Sequence, residues 1–268
     1  MKIIAIVVSA FFMTILLSSC TYDDMMNKFI PKEEAKLAED LLTELRSKNI
    51  EYIKSKLSHE IKQQATDELL LELAGYFRSG ELLSTTIIGS QTHTMNGVWQ
   101  GNFSFEYQFT NGWNLANAAF RKVNNTYEII GLNVYKTEKS QKEIHAFTLS
   151  KKEFKHYLIL AIAILVPLFI LVTVVYCIKT PIPKRKWLWV LFVLVGIFSV
   201  QLNWTTGQIN IQPLSVNLLG GAIMAASPYS AWIISTSFPL GAVIFWFKRR
   251  RFVELEKEAS KSLNMDAQ

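Results

Sequence analysis

Residues 98–109 read Val98-Trp99-Gln100-Gly101-Asn102-Phe103-Ser104-Phe105-Glu106-Tyr107-Gln108-Phe109. From Asn102 onward, aromatic and polar side chains alternate at every position. Because successive side chains of a β-strand point to opposite faces of a sheet, this alternation predicts a strand with one buried and one solvated face. The buried face would be aromatic, formed by Trp99, Phe103, Phe105, Tyr107 and Phe109.

Three dipeptides that favour tight turns divide the sequence around this strand: Asn96-Gly97, Asn111-Gly112 and Asn124-Asn125. Asn and Gly accept the positive φ angles that short hairpin turns need. The strand-like pattern begins near Leu83 and ends near Tyr135. The spacing of the turns therefore predicts four antiparallel strands in a meander.

Amphipathic helices are predicted before the strands. Pro31 suits the first turn of a helix, and Glu33 and Glu34 complement the helix dipole there. Apolar residues at helical spacing predict two more helices, over 50–61 and 69–77. The expected fold class is α+β, with N-terminal helices on a curved, cone-like four-stranded meander and a C-terminal region of three transmembrane helices. The first helix would bury Ala38, Leu41, Leu42 and Leu45.

The order of helices and strands, with the line from Gly97 to Tyr107, resembles the nuclear-transport-factor-2-like superfamily of cone-shaped α+β proteins. The resemblance covers about residues 31–137 and rests on element order more than on individual residues. It implies a pocket between the sheet and the helices. Members include enzymes, ligand-binding proteins and assembly modules, so the resemblance implies no particular reaction.

The N-terminus carries the features of an export signal. Lys2 precedes an apolar run from Ile3 to Leu17, and the run closes with Leu17-Ser18-Ser19-Cys20. That tetrapeptide resembles the lipobox of bacterial lipoproteins. The resemblance implies a signal peptide over residues 1–19 and a mature chain that begins at Cys20, acylated with a fatty acid such as palmitate. The alternative is an uncleaved signal anchor with an incidental cysteine.

Two long stretches without charged residues predict the membrane region. They run from Tyr157 to Ile178 and from Trp187 to Phe247, and a transmembrane helix needs about 20 apolar residues. A re-entrant or exported apolar loop would separate the second and third helices, with a fourth span over 209–227 as the alternative. The predicted segments are helices over 157–178, 187–204 and 229–247, a basic loop over 179–186, an apolar loop over 205–228 and a tail over 248–268.

Charge asymmetry predicts the orientation, because short loops rich in Lys and Arg stay in the cytoplasm. Three crossings would leave residues 20–156 as an exported, periplasmic domain of a multi-pass protein of the bacterial cytoplasmic (inner) membrane. The net charge of +6 resides mainly in the two basic flanks, so it does not indicate nucleic-acid binding. The residues expected to determine the topology are Lys184, Arg185, Lys186, Lys248, Arg249, Arg250 and Arg251.

Motifs for catalysis and cofactors are missing from the sequence. It has no HExxH, GxSxG, Walker or dinucleotide-binding pattern, and its four histidines are scattered. We therefore predict no metal, no cofactor and no catalytic residue, and we favour a protein that is not an enzyme. Glu106 and His93 could form an acid/base pair, and the alternative is that they lie on a solvated polar face. The aromatic stripe could line an apolar pocket, and the alternative is that it forms part of the core. The candidate pocket residues are His93, Trp99, Phe103, Phe105, Glu106 and Tyr107.

Three functions fit these observations. The favoured one is a membrane-anchored, non-catalytic lipoprotein module that binds a protein partner or an apolar ligand at the outer face of the membrane. The second is an enzyme that uses Glu106 and His93. The third is an accessory subunit of a transporter or envelope complex. Membrane lipid and a membrane-protein partner are expected, because one acyl chain and three helices exceed what retention requires.

Overall fold

The computed structural model describes residues 29–182 and 185–265, with side chains up to residue 258. Cys20, Lys184 and the predicted signal peptide therefore lie outside the described residues. The chain divides after Glu143 into two compact units, which we call the first unit and the second unit.

The described part of the first unit, from residue 29 onward, has four helices before its sheet. Ala38, Leu41, Leu42 and Leu45 of the first helix are buried, which confirms the predicted apolar face. The side chain of Thr66 accepts a hydrogen bond from the backbone N–H of Leu69 and so caps the fourth helix. The helices are α1 (Lys32–Arg46), α2 (Ile50–Lys56), α3 (His59–Lys62) and α4 (Asp67–Gly75).

A four-stranded antiparallel sheet follows, in the order β1-β2-β3-β4, as predicted. The turns fall at the predicted dipeptides, where Asn96, Gly97, Asn124 and Asn125 all have positive φ angles. The described part of the chain thus confirms an α+β fold with a four-stranded meander. The strands are β1 (Leu82–Met95), β2 (Val98–Phe109), β3 (Gly112–Val123) and β4 (Thr126–Thr137).

The core of the first unit lies between the helices and one face of this sheet. Phe103 of β2 and Phe120 of β3 stack with ring centroids 5.4 Å apart, and both are fully buried. Each such aromatic side chain stabilises the fold by roughly 1.5–3 kcal/mol through burial alone. The aromatic residues of β2 therefore form the predicted buried face.

Arg78, just after α4, joins the helices to the sheet. Its guanidinium donates hydrogen bonds to the backbone carbonyls of Asn111, Trp113 and Thr137, at 2.8, 3.2 and 2.9 Å, and to the carboxylate of Glu138 at 2.7 Å. The three carbonyls belong to the second turn, to β3 and to β4. One side chain thus ties the end of the helical layer to two strands.

In the described part of the second unit, one helix is long and apolar enough to cross a membrane, α6 (Phe154–Lys179). It follows the short helix α5 (Gln141–Ile144), which spans the division between the units. The 26 residues of α6 extend about 39 Å at 1.5 Å per residue. The first predicted span therefore lies in a helix of sufficient length.

The prediction of three membrane-spanning helices is wrong, since the described residues contain one candidate. The predicted span over 187–204 consists of a helix followed by a strand, and the span over 229–247 consists of a strand followed by a helix. The loop over 205–228 forms two strands, and the alternative fourth span is also absent. The elements are α7 (Lys186–Leu194), β5 (Val195–Asn203), β6 (Ile209–Leu218), β7 (Gly221–Met224), β8 (Ile233–Phe238) and α8 (Leu240–Met265).

The reason for this difference lies in the side chains of the second sheet, whose strand order is β6-β5-β8-β7. In β5, Ser199 and Gln201 alternate with Val200 and Leu202. Leu202 packs against α6, whereas Ser199 pairs in register with polar residues of β6 and β8. A stretch without charges predicts burial but not the period of the secondary structure, and the period here is 2.

Candidate functional site

The aromatic stripe of β2 packs as core. Phe103, Phe105 and Tyr107 are almost completely buried, and Trp99 packs against the same cluster. Phe77 meets Tyr107 edge to face at 5.6 Å. The space between the helices and the sheet is therefore filled by aromatic rings at these positions.

Glu106 and His93 lie on the same face of the sheet but far apart. Glu106 pairs in register with Thr86, and His93 pairs with Gln100. Six positions along β2 separate Glu106 from Gln100, which corresponds to about 20 Å at 3.3 Å per residue. The structure does not bring the two predicted acid/base partners together.

Glu106 instead holds the segment after β4. Its carboxylate accepts a hydrogen bond from the backbone N–H of Gln141, the first residue of α5, and its side chain is almost completely buried. Burial is the main cause that raises the pKa of Glu106. The hydrogen bond from Gln141 lowers this pKa, whereas the negative charge of the nearby Glu143 raises it further. Ser140 caps the same turn by accepting from the N–H of Glu143 at 3.1 Å.

Substitution of Glu106 tests this structural role. In Glu106→Leu the buried N–H of Gln141 loses its acceptor, and we expect the free energy of unfolding to fall by about 1–3 kcal/mol. Glu106→Gln keeps an acceptor oxygen and should cost less. Pulse proteolysis of the full chain in detergent, over a urea series, measures both; equal losses in the two variants would contradict the assigned hydrogen bond.

The pH dependence follows from the raised pKa of Glu106. The folded state holds the proton more strongly than the unfolded chain, so wild-type stability should fall as pH rises from 4.5 through the folded-state pKa. Glu106→Gln cannot titrate there and should show a flatter profile over that range. Wild type and variant with parallel stability profiles between pH 4 and pH 7.5 would exclude this effect.

Several grooves open at the margins of the core of the first unit, among them the following two. The first, between α1 and β1, has a volume of about 620 Å³ and an apolar floor that includes Ile30, Ile87 and Phe105. Its rim carries side chains of both charge signs, the basic Lys32 and Lys36 and the acidic Glu39 and Asp40. The second, between α4 and β4, has a volume of about 290 Å³ and is mostly apolar, with Leu70 and Ile129 in its lining. Of the predicted pocket residues, only Phe105 lines either groove.

The N-terminal end of α6 carries a cluster of aromatic and polar side chains. His156 is buried edge-on against Trp204 with centroids 5.3 Å apart, and Phe147 stacks on the same indole at 4.8 Å. Trp204 donates through Nε1 to the carbonyl of Thr148 at 2.9 Å. Lys152 donates to the carbonyl of Trp204 at 2.7 Å. Nothing in the sequence indicates that His156 is buried against Trp204.

The opposite end of α6 carries the basic residues. The guanidinium of Arg249 lies over the rings of Tyr176 and Trp246, at 5.0 and 5.3 Å, and Lys248 lies 5.9 Å from the ring of Trp189. Lys186 donates to the carbonyl of Ile178 at 2.9 Å. Residues from both predicted basic groups therefore meet at one end of the second unit, although more than 60 positions separate them in the sequence.

A third groove, lined by residues of α6 and α8, opens at this basic end. Its volume is about 590 Å³, and Arg250 lies in its lining beside apolar and aromatic side chains. The sequence singled out Arg250 only for topology; the spacing of Trp246 and Arg250, one helical turn apart, is the signal that could have placed them on one face. The apolar lining consists of Phe169, Val243, Trp246 and Phe247.

Among the residues that the structure describes, no three His, Cys, Asp or Glu side chains come close enough together to hold a metal ion. Comparison with protein-family models, with curated proteins and with solved structures gives no match. Over the described residues, the geometry thus defines an α+β protein with one candidate membrane helix and several grooves. The resemblance to the nuclear-transport-factor-2-like superfamily stays a prediction, and function has to be argued from the grooves and the charges.

Proposed function

We propose that this chain is a membrane-anchored module whose first unit binds a protein partner or an apolar ligand at the outer face of a bacterial cytoplasmic membrane. The observation that carries the proposal is the outer surface of α6. Leu165, Leu168 and Val172 are 62, 53 and 51% exposed, whereas the core helix of a soluble protein would bury such side chains. Lipid is the solvent that suits this surface.

The distribution of charge along the second unit supports the orientation. The uncharged part of α6, Tyr157 to Ile178, extends about 33 Å, close to the roughly 30 Å of a hydrocarbon core. The basic residues at its C-terminal end suit the cytoplasmic side, and the cluster around Trp204 suits the opposite interface. We therefore place the first unit outside.

Other elements of the second unit pack along both halves of α6. Near the C-terminal half of α6, Ile170 and Cys177 belong to one buried cluster with residues of α7 and α8. Near its N-terminal half, Ile159 and Ala163 pack with Leu202 and other residues of the second sheet. With the first unit outside and the C-terminal basic residues on the cytoplasmic side, the number of crossings is odd.

The second sheet favours a subunit role as the second candidate. Among the residues that the structure describes, its outer strands β6 and β7 each pair with one strand, and Leu214 and Val216 of β6 point largely to the outside. Lipid hydrocarbon cannot satisfy the unpaired N–H and C=O groups of an open sheet edge. In a membrane, the two sheet edges therefore have to contact either the lipid headgroup region or another membrane protein.

The enzyme alternative receives no geometric support, because about 20 Å separate Glu106 from His93 along the sheet. The grooves of the first unit suit binding better. Their apolar floors could hold apolar side chains of a partner or a small apolar ligand, and the charged rim between α1 and β1 could orient it.

Cysteine labelling in whole cells tests the orientation. In a Cys177→Ser background, we expect Gln91→Cys and Thr206→Cys to react with a membrane-impermeant maleimide in intact cells. Lys257→Cys should react only after the cytoplasmic membrane is opened. All three positions are exposed, so differences report the side of the membrane. Labelling of Lys257→Cys in intact cells would contradict an odd number of crossings.

Metabolic labelling tests the lipid anchor, which rests on the sequence alone. With an alkyne analogue of palmitate, the wild-type chain should be labelled, and Cys20→Ser should lose the label. The variant should stay in the membrane fraction, because α6 alone is long enough to hold it there. Equal labelling of wild type and Cys20→Ser would exclude acylation at this residue.

A further inference from the structure

We propose that the groove between α6 and α8 binds an anionic phospholipid of the cytoplasmic leaflet, with an acyl chain in the groove and the phosphate on Arg250. The proposal rests on the membrane location and orientation argued above. It adds a lipid site, separate from the partner site of the first unit.

The shape and lining of the groove suit an acyl chain. About 590 Å³ of space lies between apolar side chains, with Phe169 on α6 and Val243 on α8 among them. Phe247 is 82% exposed and stands at the opening. In a membrane such a space is filled by lipid and not by water, because contact between water and apolar side chains is unfavourable.

The position of the charge selects the kind of lipid. Arg250 is exposed and lines the groove together with Trp246. The neighbouring guanidinium of Arg249 lies over Tyr176 and Trp246, with its buried Nε donor unpartnered among the described residues. A guanidinium at the end of an apolar groove matches a phosphate above an acyl chain, since Arg binds phosphate in a bidentate manner.

The surroundings of Arg250 favour an anion. Lys248, Arg249 and Arg251 adjoin it, and none of the ion pairs found among the described residues involves Arg250. Glu254 follows Arg250 by four positions and lies on the same face of α8, but the ion pairs found among the described residues do not join the two. Basic pockets between helices on the cytoplasmic side are a recurrent form of anionic-lipid site.

Native mass spectrometry of the full chain in detergent tests the site, with dioleoyl phosphatidylglycerol and dioleoyl phosphatidylcholine as probes. We expect wild type to bind phosphatidylglycerol more tightly. Arg250→Gln should weaken that binding about ten-fold, more than the roughly five-fold of a single non-specific surface charge. Val243→Trp should weaken binding of both lipids, because it fills the groove.

Arg251→Gln is the matched control, since it removes the same charge from the same cluster but does not line the groove. It should weaken phosphatidylglycerol binding no more than about five-fold, the effect of a non-specific surface charge. Equal losses in Arg250→Gln and Arg251→Gln would overturn the proposal in favour of diffuse attraction, and so would equal binding of the two lipids by wild type. The cell-labelling experiment tests the orientation separately, so the two proposals can fail independently.

Discussion

Arg78→Met is expected to destabilise the first unit by about 3 kcal/mol, a large part of the stability of an ordinary domain. The Arg78 side chain is 14% exposed and supplies the donors for three backbone carbonyls of the sheet. Methionine fills similar space but leaves those carbonyls without their donor. Pulse proteolysis of the full chain in detergent, over a urea series, should show the loss as a lower midpoint.

Glu138→Gln separates the carbonyl contacts of Arg78 from its ion pair. The Glu138 side chain is 88% exposed, and pairs of this kind contribute about 0–1 kcal/mol. We therefore expect Glu138→Gln to stay within about 1 kcal/mol of wild type. A loss in Glu138→Gln equal to that in Arg78→Met would show that the ion pair, and not the contact with the carbonyls, provides the stability.

Gly241→Leu is expected to separate α7 from α8. A Cβ atom at Gly241 would lie 1.9 Å from the carbonyl oxygen of Phe192, so the two helices would have to move apart. Overpacking of this kind costs about 3 kcal/mol or more when backbone is the obstacle. Cys177 lies buried in the cluster that α7 and α8 share with α6, and its thiol therefore reports opening of this packing.

The measurement is the rate at which a fluorogenic maleimide labels Cys177 in detergent micelles. A loss of about 3 kcal/mol corresponds to labelling about a hundred times faster. Phe247→Leu, at an exposed position of α8, should leave the rate unchanged. Subtraction of the signal from Cys177→Ser removes any contribution of Cys20. Slow labelling of Gly241→Leu would mean that the close approach of the two helices is not needed.

The first unit could be predicted well because its signals are local. The alternation around Phe105 and the three turn dipeptides determine four strands without knowledge of distant contacts. The same alternation placed Glu106 on the face opposite the core. It could not predict that Ser140 and Gln141 cover this face, since the covering segment lies 35 positions away along the chain.

The remaining features depend on contacts between distant residues, which produce no periodic pattern in the sequence. Arg78 contacts residues 33 to 60 positions further along the chain, so nothing near it in the sequence indicates its role. In the second unit, the lack of charge from Trp187 to Phe247 predicted two further membrane-spanning helices, and this prediction is wrong. The lack of charge does not indicate the change from helix to strand after Leu194, because a window average of hydropathy does not distinguish a period of 3.6 from a period of 2.

The junctions between helix and strand in the second unit determine an order of assembly. As a continuous helix, α6 satisfies its own backbone hydrogen bonds and can enter the bilayer alone. Strands β5 and β8 cannot enter the bilayer alone. Their backbone N–H and C=O groups are hydrogen-bonded only when β5, β6 and β8 have all been synthesised. We therefore expect α6 to insert first and the remaining 80 or so residues to fold against it late, so that truncation before Ile233, which removes β8, leaves an aggregation-prone intermediate.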